Sequence, residues 1–114
     1  MEFACKVAGA KAIVVLGHSK CGAVKGACDG VKMGNLTTLL DKLKPAIDSE
    51  KTILSERNST NSDFVEKVAS LNVKLTMTMI REKSPILNEM ILKDEIAIIG
   101  GMYDVESGVV DFYN

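Results

Sequence analysis

One short segment constrains this chain more than any other: Ala12-Ile13-Val14-Val15-Leu16-Gly17. Its side chains are apolar on both faces, and Ile13, Val14 and Val15 are β-branched. That pattern predicts a strand covered on both sides, parallel and interior to a sheet. Such a strand needs neighbours on two edges and cover on two faces. The chain has 114 residues, about one domain, and buries roughly two-thirds of its unfolded surface. It has no Trp and only 4% aromatic residues, so the cover must be aliphatic.

The same segment excludes two other readings. Ala12–Leu16 is the longest apolar run, far short of the ~20 residues that cross a bilayer. An export signal is not expected either, because Glu2 stands where a basic region would be and Lys11 abuts the run. A cytoplasmic protein is expected, and its three cysteines, an odd number, suit thiols or metal ligands better than a disulfide framework. The formal net charge of -1 gives no electrostatic reason to expect nucleic acid or a membrane surface as partner.

Residues 1–8 read as a short helix stopped by Gly9. After the strand, the turn Gly17–Gly22 leads into a helix through about Cys28, ended by Asp29-Gly30. Leu36, Leu39, Leu40, Leu43 and Ile47 share one helical face, with a break or kink expected at Pro45. Ser49–Ser62 is polar and reads as a mobile loop. Phe64, Val68, Leu71, Leu75 and Met79 mark a long amphipathic helix to about Lys83. Ser84-Pro85 then starts another, with Ser as N-cap and Pro in the first helical position, ending near Lys93-Asp94. Ile96–Ile99 is a second strand, finished or interrupted by Gly100-Gly101. Met102–Val105 stays extended, Glu106-Ser107-Gly108 turns, and Val109–Tyr113 returns. The fold class is α/β, a mostly parallel sheet flanked by helices with a C-terminal β-hairpin.

Chemistry concentrates in Gly17-His18-Ser19-Lys20-Cys21-Gly22. In open α/β sheets, ligands bind at the C-terminal ends of strands. His18 and Cys21 put an imidazole and a thiol on one tight turn, a pair suited to tetrahedral zinc. A helix start at Cys21 would favour thiolate. The spacing also fits a hydrogen-bonded core histidine beside a buried cysteine, and two ligands are half a zinc site. Cys28 would stand ~10 Å further along a helix, and Cys5 on the preceding helix, so both read as small buried hydrophobes. The G-x-x-x-x-G spacing is followed by Ala23-Val24, without the Lys and Ser or Thr a phosphate loop needs. Lys20, with lysines 6, 11, 25 and 32, reads either as a solvated face or as attraction for an anionic substrate.

Val15-Leu16-Gly17-His18-Ser19-Lys20-Cys21-Gly22-Ala23-Val24-Lys25-Gly26 resembles the zinc-site segment of the β-class carbonic anhydrases. Glu2-Phe3-Ala4, Gly34-Asn35-Leu36, Lys44-Pro45, Ser84-Pro85-Ile86-Leu87 and Gly100-Gly101-Met102-Tyr103-Asp104 extend the likeness along the chain. The resemblance implies a zinc enzyme interconverting carbon dioxide and bicarbonate, its metal held by one His and two Cys. His18 and Cys21 match the His and the second Cys, and Gly22 would lie on the substrate side. The first Cys belongs to a C-x-D-x-R motif on an earlier strand, and no such motif occurs here. The expectation is therefore a single truncated β-carbonic-anhydrase-like domain over residues 1–114 with an incomplete zinc site. The strand over residues 12–17 would be left as an exposed apolar edge, to be covered by a second copy in a homodimer. Two copies pooling His18 and Cys21 would form a closed, structural zinc site. The alternative function is a catalytically inactive oligomeric scaffold, with structural zinc or no metal.

Overall fold

The computed structural model describes residues 1–113. Its elements run α1 (Glu2–Lys6), β1 (Ala12–His18), α2 (Gly22–Cys28), α3 (Gly34–Asp41), α4 (Lys44–Ser49), α5 (Ser62–Lys83), α6 (Pro85–Leu92), β2 (Ala97–Tyr103) and β3 (Val110–Phe112). The break expected at Pro45 falls just ahead of it, and the ring sits in the first turn of α4, where a missing N–H costs nothing. Asn61 caps α5 by accepting from the Phe64 N–H, and Ser84 caps α6 by accepting from the Leu87 N–H.

The sheet has the order β1-β2-β3. β1 and β2 run parallel with Val15 beside Gly100, and β3 returns antiparallel with Phe112 beside Gly101. β2 passes straight through its two glycines rather than ending at them. Both are needed for close approach. A Cβ on Gly100 would lie 3.0 Å from a Val73 methyl, and one on Gly101 would lie 2.9 Å from the Asp111 carbonyl oxygen.

β1 differs from its sequence reading in two respects. It is an edge strand, because only β2 pairs with it among the described residues. It is also covered on one face only. Ile13 packs with Cys5, Leu87, Met90 and Ile96, while Val14 and Leu16 on the opposite face are 53% and 49% exposed. Phe112, beside Gly101 on that open face, is 59% exposed. The β-branched, two-sided apolar pattern is that of a strand covered on both faces, while the described residues cover one face of β1 and pair one edge.

A second core lies where α5 meets α2, α3 and α4, with Phe64 and Val68 fully enclosed. The polar stretch between α4 and α5, expected to be mobile, is instead tied down at several points. Glu50 is buried, and its carboxylate accepts from the Thr52 N–H, the Thr52 hydroxyl and the Ile53 N–H at 2.7–2.8 Å. Those bonds hold its pKa below the ordinary glutamate value, the Ile53 N–H contributing most. The Arg57 guanidinium donates to the carbonyls of Ile47, Glu50 and Ile53 and lies 4.6 Å above the Phe64 ring. No helix among the described residues is long and apolar enough to cross a membrane.

Candidate metal centre

His18 is the last residue of β1, and Cys21 is the N-cap of α2. Two residues join them. Lys20 takes a left-handed conformation, φ +55°, that a non-glycine residue adopts only when its surroundings hold it there. Those surroundings are the hairpin between β2 and β3. The Ser19 N–H donates to the Tyr103 carbonyl at 2.9 Å, carrying the parallel ladder one bond beyond β1. The Ser19 hydroxyl oxygen accepts from the Val105 N–H at 3.0 Å, and the same hydroxyl reaches Asp104 Oδ1 at 3.5 Å. Lys20 pairs with Glu106. Asp104 also accepts from the Glu106 N–H and the Ser107 hydroxyl at 2.9 and 3.0 Å. These bonds lower its pKa, the Glu106 N–H contributing most.

This brace was not foreseen from the sequence. Its only local signal is Asp104-x-x-Ser107, a turn in which the first side chain bonds the backbone two residues on. Lys20, one of the lysines read either as a solvated face or as attraction for an anion, is exposed and pairs with Glu106.

His18 is exposed, and its Nδ1 lies 2.9 Å from the Ser19 carbonyl oxygen. A carbonyl only accepts, so in the neutral ring the proton sits on Nδ1. That leaves the Nε2 lone pair free as a ligand, the arrangement by which a backbone carbonyl orients a metal-binding histidine. The sequence alternative of a satisfied core histidine is therefore set aside. Cys21 is half-buried. His18 and Cys21 share a groove of about 440 Å³, walled also by Leu16, Leu39, Asn72 and Val73.

The other cysteines stay apart from this groove's lining. Cys5 is buried in the core beneath α6, as expected. Cys28 is half-buried at the far end of α2, and burial, with the Asp29 charge, pushes its thiol pKa up. Gly22 opens α2 with open space where a Cβ would be. Among the described residues, no three His, Cys, Asp or Glu side chains converge to hold a metal ion. The turn thus offers zinc donors of a suitable type, imidazole and thiolate, but in insufficient number.

Comparison with known proteins decides the lineage. The sequence profile of the carbonic anhydrase family matches residues 1–110. The β-carbonic anhydrase CafA of Aspergillus fumigatus superposes with a TM-score of 0.80 at 26% identity, over 99% of this chain and 53% of that one. The chain belongs to the β-class carbonic anhydrase family. A curated relative, the carbonic anhydrase of Candida albicans, is 29% identical over 109 residues, covering 95% of this chain and 38% of that protein. One of two tetrameric β-carbonic anhydrases of Sordaria macrospora gives a TM-score of 0.78 at 28% identity, over 99% of this chain and 57% of that one. Measured against these β-carbonic anhydrases, the chain spans about half their length or less.

Proposed function

We propose that this chain supplies the His18–Cys21 half of a zinc centre for carbonic anhydrase chemistry, the interconversion of carbon dioxide and bicarbonate. The observation that carries the reading is the Nδ1 contact of His18 with the Ser19 carbonyl, on a turn braced at the C-terminal end of a strand. A zinc ion that activates water keeps three protein ligands and one open position. His18 and Cys21 are two, so no catalytic step is assigned to one copy of the chain by itself. Activity belongs to an assembly in which a further donor joins them. Gly22, open on the rim of α2, is assigned to the substrate side of the groove.

The chain is further proposed to act as one domain over residues 1–114 in a homo-oligomer. The free edge of β1 would pair antiparallel with the same strand of a second copy, satisfying its outer N–H and C=O groups. The tetrameric Sordaria macrospora relatives make assembly of this scaffold a reasonable expectation. A cytoplasmic setting accords with three free cysteines.

Stopped-flow hydration of carbon dioxide, with zinc content measured on the same sample, tests the proposal. The expected result is a rate at buffer level for the isolated chain and a rise when a donor-bearing partner is present. A rate at buffer level in every zinc-loaded assembly would reject the enzymatic reading. It would favour the second one, a catalytically inactive oligomeric scaffold, for which the shortage of converging donors speaks.

A further inference from the structure

We propose that the groove between α5 and the segment leaving α4 binds a small molecule carrying two linked phosphate groups, held by Lys51, Lys67 and Lys74. The groove shares no lining residue with that of His18 and Cys21, and the proposal does not depend on the reading of that pair as ligands. Its volume is about 360 Å³, at the small end of the roughly 300–1,000 Å³ usual for ligand pockets.

One wall is a face of α5. Lys67, Ser70, Leu71 and Lys74 stand at i, i+3, i+4 and i+7, which a helix places on one side. The other wall is residues 49–52, and it is fixed. The Glu50 carboxylate holds the Thr52 and Ile53 N–H groups, and Arg57 holds the carbonyls of Ile47, Glu50 and Ile53. The backbone that carries Lys51 is therefore in place before a ligand arrives, which lowers the cost of binding. The two walls are also joined. Lys67 Nζ donates to Thr52 Oγ1 at 3.1 Å, and the Thr52 hydroxyl donates to Glu50 Oε1 at 2.8 Å.

Charge selects an anion. All three lysines are exposed, and among the described residues none of them is in an ion pair. Glu50 is the one carboxylate among the described lining residues; it is 5% exposed and already accepts three hydrogen bonds. An entering ligand therefore meets ammonium groups first. Lys67 keeps two donors after its bond to Thr52. Lys74 Nζ lies 5.2 Å from the centre of the Tyr113 ring, a contact that steadies the ammonium without an anionic partner. Ser70 Oγ lies 2.8 Å from the Tyr113 hydroxyl; one donates to the other, and the second proton is left to donate elsewhere. Spacing selects the number of anionic groups. Seven residues of helix put Lys67 and Lys74 about 10 Å apart along the axis. A single small oxyanion at one lysine leaves the other unused, whereas two linked phosphates extend between them.

The probe is inorganic pyrophosphate, titrated calorimetrically into the full chain at low ionic strength without divalent metal, with amide shifts followed by NMR. The expected result is saturable one-to-one binding, with shifts confined to residues 49–53 and 67–74. Affinity should fall several-fold as salt is raised, because exposed charges are screened beyond about 8–10 Å. Lys67→Gln and Lys74→Gln should each weaken binding about three- to fivefold. Lys11→Gln removes the same charge outside the groove and should leave the affinity at the parent value, all three variants keeping the parent's circular dichroism melt. Orthophosphate should bind about tenfold more weakly than pyrophosphate. The absence of saturation at millimolar pyrophosphate would overturn the proposal, as would shifts centred on another face of the parent chain, a map that needs no variant. Equal weakening by all three lysine variants would show diffuse charge attraction and overturn the site. Orthophosphate binding as tightly as pyrophosphate would overturn the assignment of two phosphate groups.

Discussion

Gly17→Ala is the substitution through which the sheet, the long helix and the metal turn can be probed together. Gly17 immediately precedes His18, on the covered face of β1. A Cβ built there would lie 2.8 Å from Val73 Cγ2 and 2.7 Å from Met102 Sδ. The Met102 sulfur can swing aside; the Val73 methyl cannot do so easily, because Val73 is β-branched, 3% exposed and fixed on α5. Overpacking of this kind costs about 1–3 kcal/mol. Val73→Ala alone should cost about 2 kcal/mol, through two lost methyl groups and the cavity they leave. In the double variant the new Gly17 methyl enters the space Val73 vacates. The pair should then be less destabilising than additivity requires by about 1–2 kcal/mol.

Urea unfolding of the four proteins reads this directly. At a slope of about 1–2 kcal/mol per molar, the Gly17→Ala midpoint should fall by roughly 1 M or more, and the double variant should lie well above the additive midpoint. Zinc affinity, measured by competition with a chromophoric chelator, should weaken in Gly17→Ala and recover in the double variant, because the strain acts on the residue next to His18. Strict additivity in urea would refute the claim that Gly17 is glycine to admit Val73. Unchanged zinc affinity in Gly17→Ala would refute the claim that the packing beneath β1 positions the turn.

The remaining expectations concern the supports around that turn and the loop behind it. Arg57→Met removes three hydrogen bonds to carbonyls and the contact over Phe64, and should cost about 2–3 kcal/mol, with limited proteolysis appearing first between α4 and α5. Ser84→Ala removes the N-cap of α6 and should lower stability by about 1 kcal/mol in urea. Asp104 has its pKa lowered in the fold, so its contribution is present above the ordinary aspartate value and is lost as pH falls through the lowered one. Asp104→Asn should therefore flatten the acid limb of a stability–pH curve and leave the neutral region nearly level by comparison. Cys28→Ala should leave zinc stoichiometry unchanged, since Cys28 is remote from the groove lining and its thiol pKa is raised.

Much of the helical frame was legible because local rules decide it. Ser84-Pro85 marks the start of α6, and the apolar spacing from Phe64 to Met79 marks α5. The proposed ligands His18 and Cys21 stand out for a similar reason: an imidazole and a thiol on one turn after an apolar strand form a local pattern. What escaped depends on contacts distant in sequence. Asp104 and Glu106 join Ser19 and Lys20 across 85 and 86 positions, and nothing near either segment announces the pairing. The order in the loop before α5 was missed because its composition is polar, whereas its stability comes from Glu50 and Arg57 satisfying backbone groups. The strand through Gly100 and Gly101 was cut short because glycine ordinarily weakens a strand; here it admits Val73 on one face and the β3 backbone at the other.

β1 carries the more general lesson. Its apolar residues on both faces predict an interior strand, yet among the described residues it has one paired edge and one covered face. Its C-terminal turn likewise presents two proposed donors, His18 and Cys21, where zinc takes three or four. Each shortfall has the same form: a surface specified for a neighbour that the described residues do not include. An isolated chain with Val14, Leu16 and Phe112 in water should tend to associate through that face or edge. Charged substitution of Leu16 separates the two needs. Leu16→Lys places its charge on the open face, two residues before His18 and on the wall of the groove that His18 and Cys21 share, and leaves the covered core of β1 unchanged. If edge or face burial drives assembly in the absence of metal, that variant should remain monomeric in chelator where the parent associates. A variant that associates as strongly as the parent would show that this open face plays no part in assembly, and the apolar pattern of β1 would then require another explanation.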